Sequence, residues 1–237
     1  MVSKFALSLH DVTVKRRGKT ILGPVTLDLA EQGFTIVLGP NGAGKTTFLK
    51  AMHGIERLSA GRVEWPVSES DARRQQSYVF QTPTMLRRTV AANLAYPLEL
   101  LKVPKAEIAD SVQTWAAAIG LEGALKRPAT RLSGGERQKL AVGRALIRNP
   151  KVLFLDEPCA NLDGRATREI EALLRNANEA GTRIIMTIHN FGQARRLASD
   201  ILFLLSGKIH EQGSAKSFLD GPTTPEARAF LQGDIVE

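Results

Sequence analysis

Residues 39–47 read Gly-Pro-Asn-Gly-Ala-Gly-Lys-Thr-Thr, a full match to the spacing G-x-x-x-x-G-K-[ST]. An apolar run, Thr35-Ile36-Val37-Leu38, precedes it, and a helical pattern runs from Lys45 to Met52. A strand entering a helix through a glycine-rich loop is the context this spacing requires. Gly39, Gly42 and Gly44 let the backbone curl through Pro40, Asn41 and Ala43, so that successive N–H groups converge on phosphate oxygens. The helix that opens near Lys45, Thr46 and Thr47 adds the positive end of its dipole. In such a loop the lysine reaches the β- and γ-phosphates, and the first hydroxyl ligates Mg²⁺.

The rest of the chain agrees with an α/β fold. Val152–Leu155 and Arg183–Ile188 read as buried strands, and Arg165–Ala180 between them is helical in pattern with Gly181 as its stop. Strand, crossover helix and strand in this order predict a parallel sheet. Phe5, Leu7, Leu9, Val12 and Val14, then Val25, Leu27 and Leu29, alternate instead, which predicts an N-terminal antiparallel β-subdomain. Residues 83–131 differ: Thr89–Leu101 and Ala106–Ile119 carry helical spacing without strands, punctuated by Pro83, Pro97, Pro104 and Pro128. The expected organisation is one domain over 1–237, with 1–82 and 132–237 forming the nucleotide-binding α/β core and 83–131 an inserted α-helical lobe.

Composition narrows the function classes. No apolar run approaches the ~20 residues that span a bilayer, and MVSKFALSLHD lacks the apolar core of a secretion signal. A single cysteine, Cys159, excludes an intramolecular disulfide framework and points to a reducing compartment. The net charge of +8 suits polyanions. Two Trp and two Tyr are few for a base-stacking surface, so no nucleic-acid partner is expected.

Two more constellations carry chemistry. Lys151-Val-Leu-Phe-Leu-Asp156-Glu157-Pro158 is an apolar strand that delivers two acids to its C-terminal edge. Asp156 fits a direct or indirect partner of Mg²⁺, and Glu157 fits the group that polarises an attacking water. Leu132-Ser133-Gly134-Gly135-Glu136 opens a helix with a second anion-seeking nest. One nucleotide needs one phosphate loop, so the second nest points to a nucleotide held by another protomer.

These three motifs, in this order, resemble the nucleotide-binding subunit of ATP-binding-cassette (ABC) proteins across nearly the whole chain. The resemblance implies ATP and Mg²⁺ as cofactors, and roles for further residues. Gln81, in Tyr-Val-Phe-Gln, stands where the family places the glutamine that senses Mg²⁺ and moves the helical lobe. Asp163 closes Asn161-Leu162-Asp163, the family's loop across the dimer interface, and His189, in Met-Thr-Ile-His-Asn, matches its switch histidine. It implies a head-to-tail dimer that closes on two ATP molecules, each between Lys45 of one chain and Ser133-Gly134-Gly135 of the other. The family usually stacks an aromatic on adenine near position 16. Here Arg16 stands there, and its guanidinium plane is the expected substitute. Cys159 replaces the hydroxyl residue common after Asp-Glu-Pro and reads as small packing filler.

Within the family, the stretch between Gln81 and Ser133 lacks the heptads of a DNA-repair member, and a translation factor would carry two cassettes. Transport remains, with a separate transmembrane permease docked on residues 82–131 and an extracytoplasmic solute-binding protein beyond it. The chain would then sit on the cytoplasmic face of the plasma membrane. The segments His189–Asp200 and Ala227–Val236 look like those of bacterial tungstate importer ATPases, as does the expected lack of a C-terminal regulatory domain. The alternatives are importers of molybdate, phosphate or polar amino acids, and cassettes of cell-division or lipoprotein-release complexes.

Overall fold

The alternation at the start of the chain is realised as two long antiparallel strands, β1 (Phe5–Arg16) and β2 (Lys19–Ala30). They turn through Arg17 and Gly18, both at positive φ, the two-residue turn whose twist matches that of the strands it joins. Next come β3 (Phe34–Leu38), α1 (Lys45–His53), β4 (Ala60–Glu64), α2 (Glu69–Gln75) and β5 (Gln76–Val79). The computed structural model, which describes residues 5–236, continues with α3 (Val90–Leu100), α4 (Lys105–Ala118) and α5 (Gly134–Leu146). After β6 (Val152–Asp156) follow α6 (Gly164–Glu179), β7 (Arg183–Thr187), α7 (Phe191–Leu197) and β8 (Asp200–Leu205). The described chain ends with β9 (Lys208–Ser214), α8 (Ala215–Asp220) and α9 (Pro225–Gln232).

The strands form two sheets, β2-β1-β4 and β5-β6-β7-β3-β8-β9. In the larger one every pairing from β5 to β8 is parallel, and only β9 runs antiparallel, to β8. β3, β6 and β7 are buried at every position, because helices cover both faces of a parallel sheet. One face packs Leu153, Leu155, Ile184 and Met186 against α5, α6 and α7. The other packs Val37, Phe154 and Ile185 against α1 and the antiparallel sheet. This is a P-loop NTPase core with an antiparallel β-subdomain and helices inserted between β5 and β6. The inserted α3 and α4 close over their own cluster of Val90, Leu94, Val112 and Ala116, which also takes Leu140 and Ile147 from the α5 side. Among the described residues, no helix is long and apolar enough to cross a membrane.

At the end of α1, the His53 ring lies edge-on to Tyr78 and Phe154, at 5.5 and 5.7 Å between centroids. Burial, and then the nearby Arg148 charge, push its pKa down to about 4. The folded chain therefore refuses a proton that the unfolded chain accepts below pH 6.5. Its contribution to stability is complete above that pH and is lost as the pH falls towards 4, about 2 kcal/mol between pH 7 and 4.5. His53→Gln should flatten that part of the acid limb, as read by urea unfolding at the two pH values. An unchanged slope would show that other groups carry it.

Candidate active site

The loop after β3 is shaped by its glycines. Gly39 has φ of 148°, and a Cβ there would lie 2.2 Å from the Leu204 carbonyl oxygen, so only glycine lets the loop pass β8. Gly44, at φ 97°, is the N-cap of α1. The first N–H groups of α1, on Lys45, Thr46 and Thr47, have no partner within the helix, and these three residues line a cavity of about 640 Å³. Lys45 is 6% exposed. Its Nζ donates to the carbonyls of Gly39 at 2.8 Å and Pro40 at 3.0 Å. Burial lowers its pKa, while the nearby Glu157 and Asp156 charges hold it up.

Three parallel strands deliver the remaining groups to one edge. β7 lies between β3 and β6, so the Asp156 strand is one removed from that of the loop. Even so, Thr46 Oγ1 donates to Asp156 Oδ1 at 3.1 Å. Thr187, the last residue of β7, ties the acids together. Its hydroxyl donates to the same Asp156 oxygen at 2.9 Å and accepts the Glu157 N–H at 2.8 Å. Glu157 adopts φ of 46°, a left-handed turn that presents its carboxylate to the cavity. Gln81 Nε2 donates to Glu157 Oε2 at 2.9 Å, and His189 Nε2 lies 2.6 Å from Oε1. Both carboxylate oxygens are thus oriented, by residues just past β5 and β7. A carboxylate held this way beside a phosphate-binding loop can align a water and accept its proton.

The Thr46 hydroxyl and Asp156 carboxylate, with the Gln81 amide nearby, form the oxygen donor set that Mg²⁺ prefers when phosphate and water complete its shell. No group of three or more His, Cys, Asp or Glu among the described residues forms a metal cage. Two protein oxygens leave most of an octahedral shell to phosphate and water, so Thr46 and Asp156 fit a cation that arrives with phosphate.

Ser133, Gly134, Gly135, Glu136 and Asp163 line a second cavity, of about 380 Å³, and none of them lines the first. Ser133 caps α5 in a reciprocal pair with Glu136: its Oγ accepts the Glu136 N–H at 3.2 Å, and its own N–H donates to Glu136 Oε2 at 2.8 Å. Arg127 holds the same carboxylate at 2.5 Å. Asp163 caps α6, accepting the Ala166 N–H at 2.8 Å.

Two residues of the site, Thr187 and Ile21, carry no signal in the sequence. Thr187 and Ile21 look like ordinary strand residues in sequence, and Asn161, at φ 61°, lines both cavities. Arg16, expected to stack on the base, is an exposed side chain in the free chain. Its guanidinium pairs with Glu56 at 2.5 Å, and the side chain near the start of the chain that lines the first cavity is Ile21.

The family model described as ABC transporter matches residues 22–160. The tungstate uptake system ATP-binding protein of Peptoclostridium acidaminophilum is 39% identical, over 82% of this chain and 92% of that protein. The methionine import ATP-binding protein of Sodalis glossinidius is 35% identical over 91% of this chain, which spans only 66% of its length. A solved dimeric post-hydrolysis state of the ATP-binding cassette MJ0796, bound to ADP and Pi, superposes with a TM-score of 0.79 at 25% identity, over 88% of this chain and 98% of that one. The chain belongs to the ABC transporter family and is an ATPase of that family.

Proposed function

We propose that this chain is the ATP-hydrolysing subunit of an importer, acting as a homodimer against a separate membrane permease, with tungstate as the cargo. The observation that carries the dimer is the division of phosphate-seeking groups between two cavities of one chain. Lys45, Thr46 and Glu157 line the first, and Ser133, Gly134 and Gly135 the second. A second copy turned head to tail supplies each half-site with its complement, so ATP joins the two chains and hydrolysis releases them.

Within a half-site, Lys45 and the N–H groups of α1 bind the β- and γ-phosphates, and Asn41 and Thr47 border them. Glu157 aligns the attacking water and takes its proton, held in place by Gln81 and His189. Positioning and electrostatics supply the rate, since phosphoryl transfer asks little covalent chemistry of the protein. Mg²⁺, held by Thr46 with Asp156 and Gln81 nearby, would neutralise charge developing on the phosphate oxygens.

The permease is assigned to the side of the inserted helices, residues 83–131. There a groove of about 570 Å³ exposes Ile55, Phe80, Leu100 and Leu101 beside Arg144 and Arg148. On this reading the chain is peripheral, on the cytoplasmic face of the membrane, and a solute-binding protein acts only through the permease. The cargo reading is supported by the tungstate relative, whose length the chain nearly fills.

Elemental mass spectrometry of cells expressing the native operon tests it, with trace tungstate, molybdate and phosphate supplied together. Tungsten accumulation alone should collapse when the chain carries Gly39→Val, which blocks the loop against β8. Collapse of molybdenum or phosphorus in place of tungsten would reassign the cargo. Equal accumulation of all three with and without the substitution would remove the oxyanion reading and leave the other importers and the non-importer cassettes.

A further inference from the structure

α7 has seven residues, too few to persist on its own hydrogen bonds, yet it starts two positions after His189. Its placement is fixed from α6. Glu171, in the middle of α6, is 3% exposed. Its carboxylate accepts three side-chain hydrogen bonds, all from α7. Gln193 Nε2 donates to Oε1 at 3.1 Å, and Arg196 donates through Nη2 to Oε1 at 2.6 Å and through Nε to Oε2 at 2.8 Å. A carboxylate this deep is costly unless it is paired and hydrogen-bonded, and here every bond it makes goes to one short helix. Gln193 in turn gives its backbone N–H to Asn190 Oδ1 at 3.2 Å, and Asn190 adjoins His189.

We propose that Glu171 is a positioning residue: by fixing α7 and its Asn190 cap, it holds the His189 imidazole against Glu157. On the other side, Thr187 is anchored through Asp156 and the Glu157 N–H. Residues 188–190 are thus held at both ends. This explains how an imidazole 46% exposed keeps its Nε2 at 2.6 Å from Glu157 Oε1. The same clamp joins α7 to α6, whose N-cap is Asp163 at the second cavity, so the two cavities share one support. The inference rests on the ATPase reading above only in its kinetic consequence.

Histidine side-chain NMR of the full chain at fixed pH reads the placement without reference to activity. The chain has four histidines, and His189→Ala assigns the His189 signals. In Glu171→Gln, which keeps the volume, the His189 signals should move while those of His10 and His210 stay. ATP turnover should fall about tenfold or more with KM for ATP within twofold, the signature of a misplaced reacting group. In the His189→Ala background, Glu171→Gln should cost nothing further. Arg196→Met, which removes two of the three bonds from the half-exposed side, should act in the same direction and covers the case in which Glu171→Gln fails to fold. Unmoved His189 signals, or an equal proportional loss of kcat in both backgrounds, overturn the proposal. If His189→Ala leaves turnover intact while the His189 signals still move in Glu171→Gln, the positioning stands and the catalytic use of His189 falls.

Discussion

Glu157→Gln is expected to lower ATP turnover by about 10²–10⁴-fold, the span that a positioned general base contributes, while ATP affinity changes by less than a few fold. The separation follows from the geometry. On the proposed reading the Lys45 ammonium and the first N–H groups of α1 hold phosphate, whereas Glu157 enters the same cavity from just past the end of β6. Glutamine has the volume of glutamate and keeps an oxygen for Gln81 or His189, but it cannot take a proton from water. Glutamate and glutamine branch alike, so the left-handed backbone at residue 157 strains one no more than the other. If ATP joins two copies and hydrolysis parts them, the variant should accumulate as an ATP-dependent dimer in size-exclusion chromatography, and the wild type should not. Turnover within tenfold of wild type would remove Glu157 from the base role. An ATP-insensitive elution volume, with turnover lost, would keep the base and remove the ATP-joined dimer.

What could be read before the structure was local. The run 35–47 declares a strand, a loop and a helix, because glycine freedom, an apolar run and a helical period follow one another without a break. β6 and β7 are legible for the same reason, as short unbroken apolar runs of a sheet covered on both faces. β4 and α2 escape notice because little of either is buried. β4 has no fully buried residue, and α2 buries only Ala72, so neither leaves an apolar period. Site residues made by tertiary approach are hidden in the same way. Thr187 reads as an ordinary β-branched strand residue until β7 is found beside β6, where its hydroxyl meets Asp156. Ile21 becomes a cavity residue only when β2 folds across the phosphate loop. At Arg16 the sequence hides a partner rather than a position. A surface guanidinium takes whichever carboxylate comes near, and Glu56, distant in sequence, lies 2.5 Å away. Cys159, read as filler, is half-buried with its thiol pushed up to about 11 by burial, which suits packing and disfavours thiolate chemistry.

Lys45 gives the sharpest separation between a structural and a functional role for the loop. In the free chain its ammonium rests on the carbonyls of Gly39 and Pro40, at a burial that lowers its pKa. A buried cation of this kind stabilises the fold weakly at best, because its desolvation offsets its hydrogen bonds. Its value should appear only when phosphate arrives and the ammonium donates to anionic oxygens, bonds worth about 1.5–3 kcal/mol, or roughly 10–150-fold in affinity. Lys45→Met fills much of the same space without the charge. Its melting temperature without nucleotide should therefore stay within a few degrees of wild type. Mg-ATP at 100 times the wild-type Kd stabilises the wild type by about 2.7 kcal/mol, and the variant should lose from about half to about nine-tenths of that shift. A variant that melts early but still responds fully to ATP would make Lys45 a prop for the loop. One that melts normally and ignores ATP places the phosphate where the glycines and the start of α1 already point.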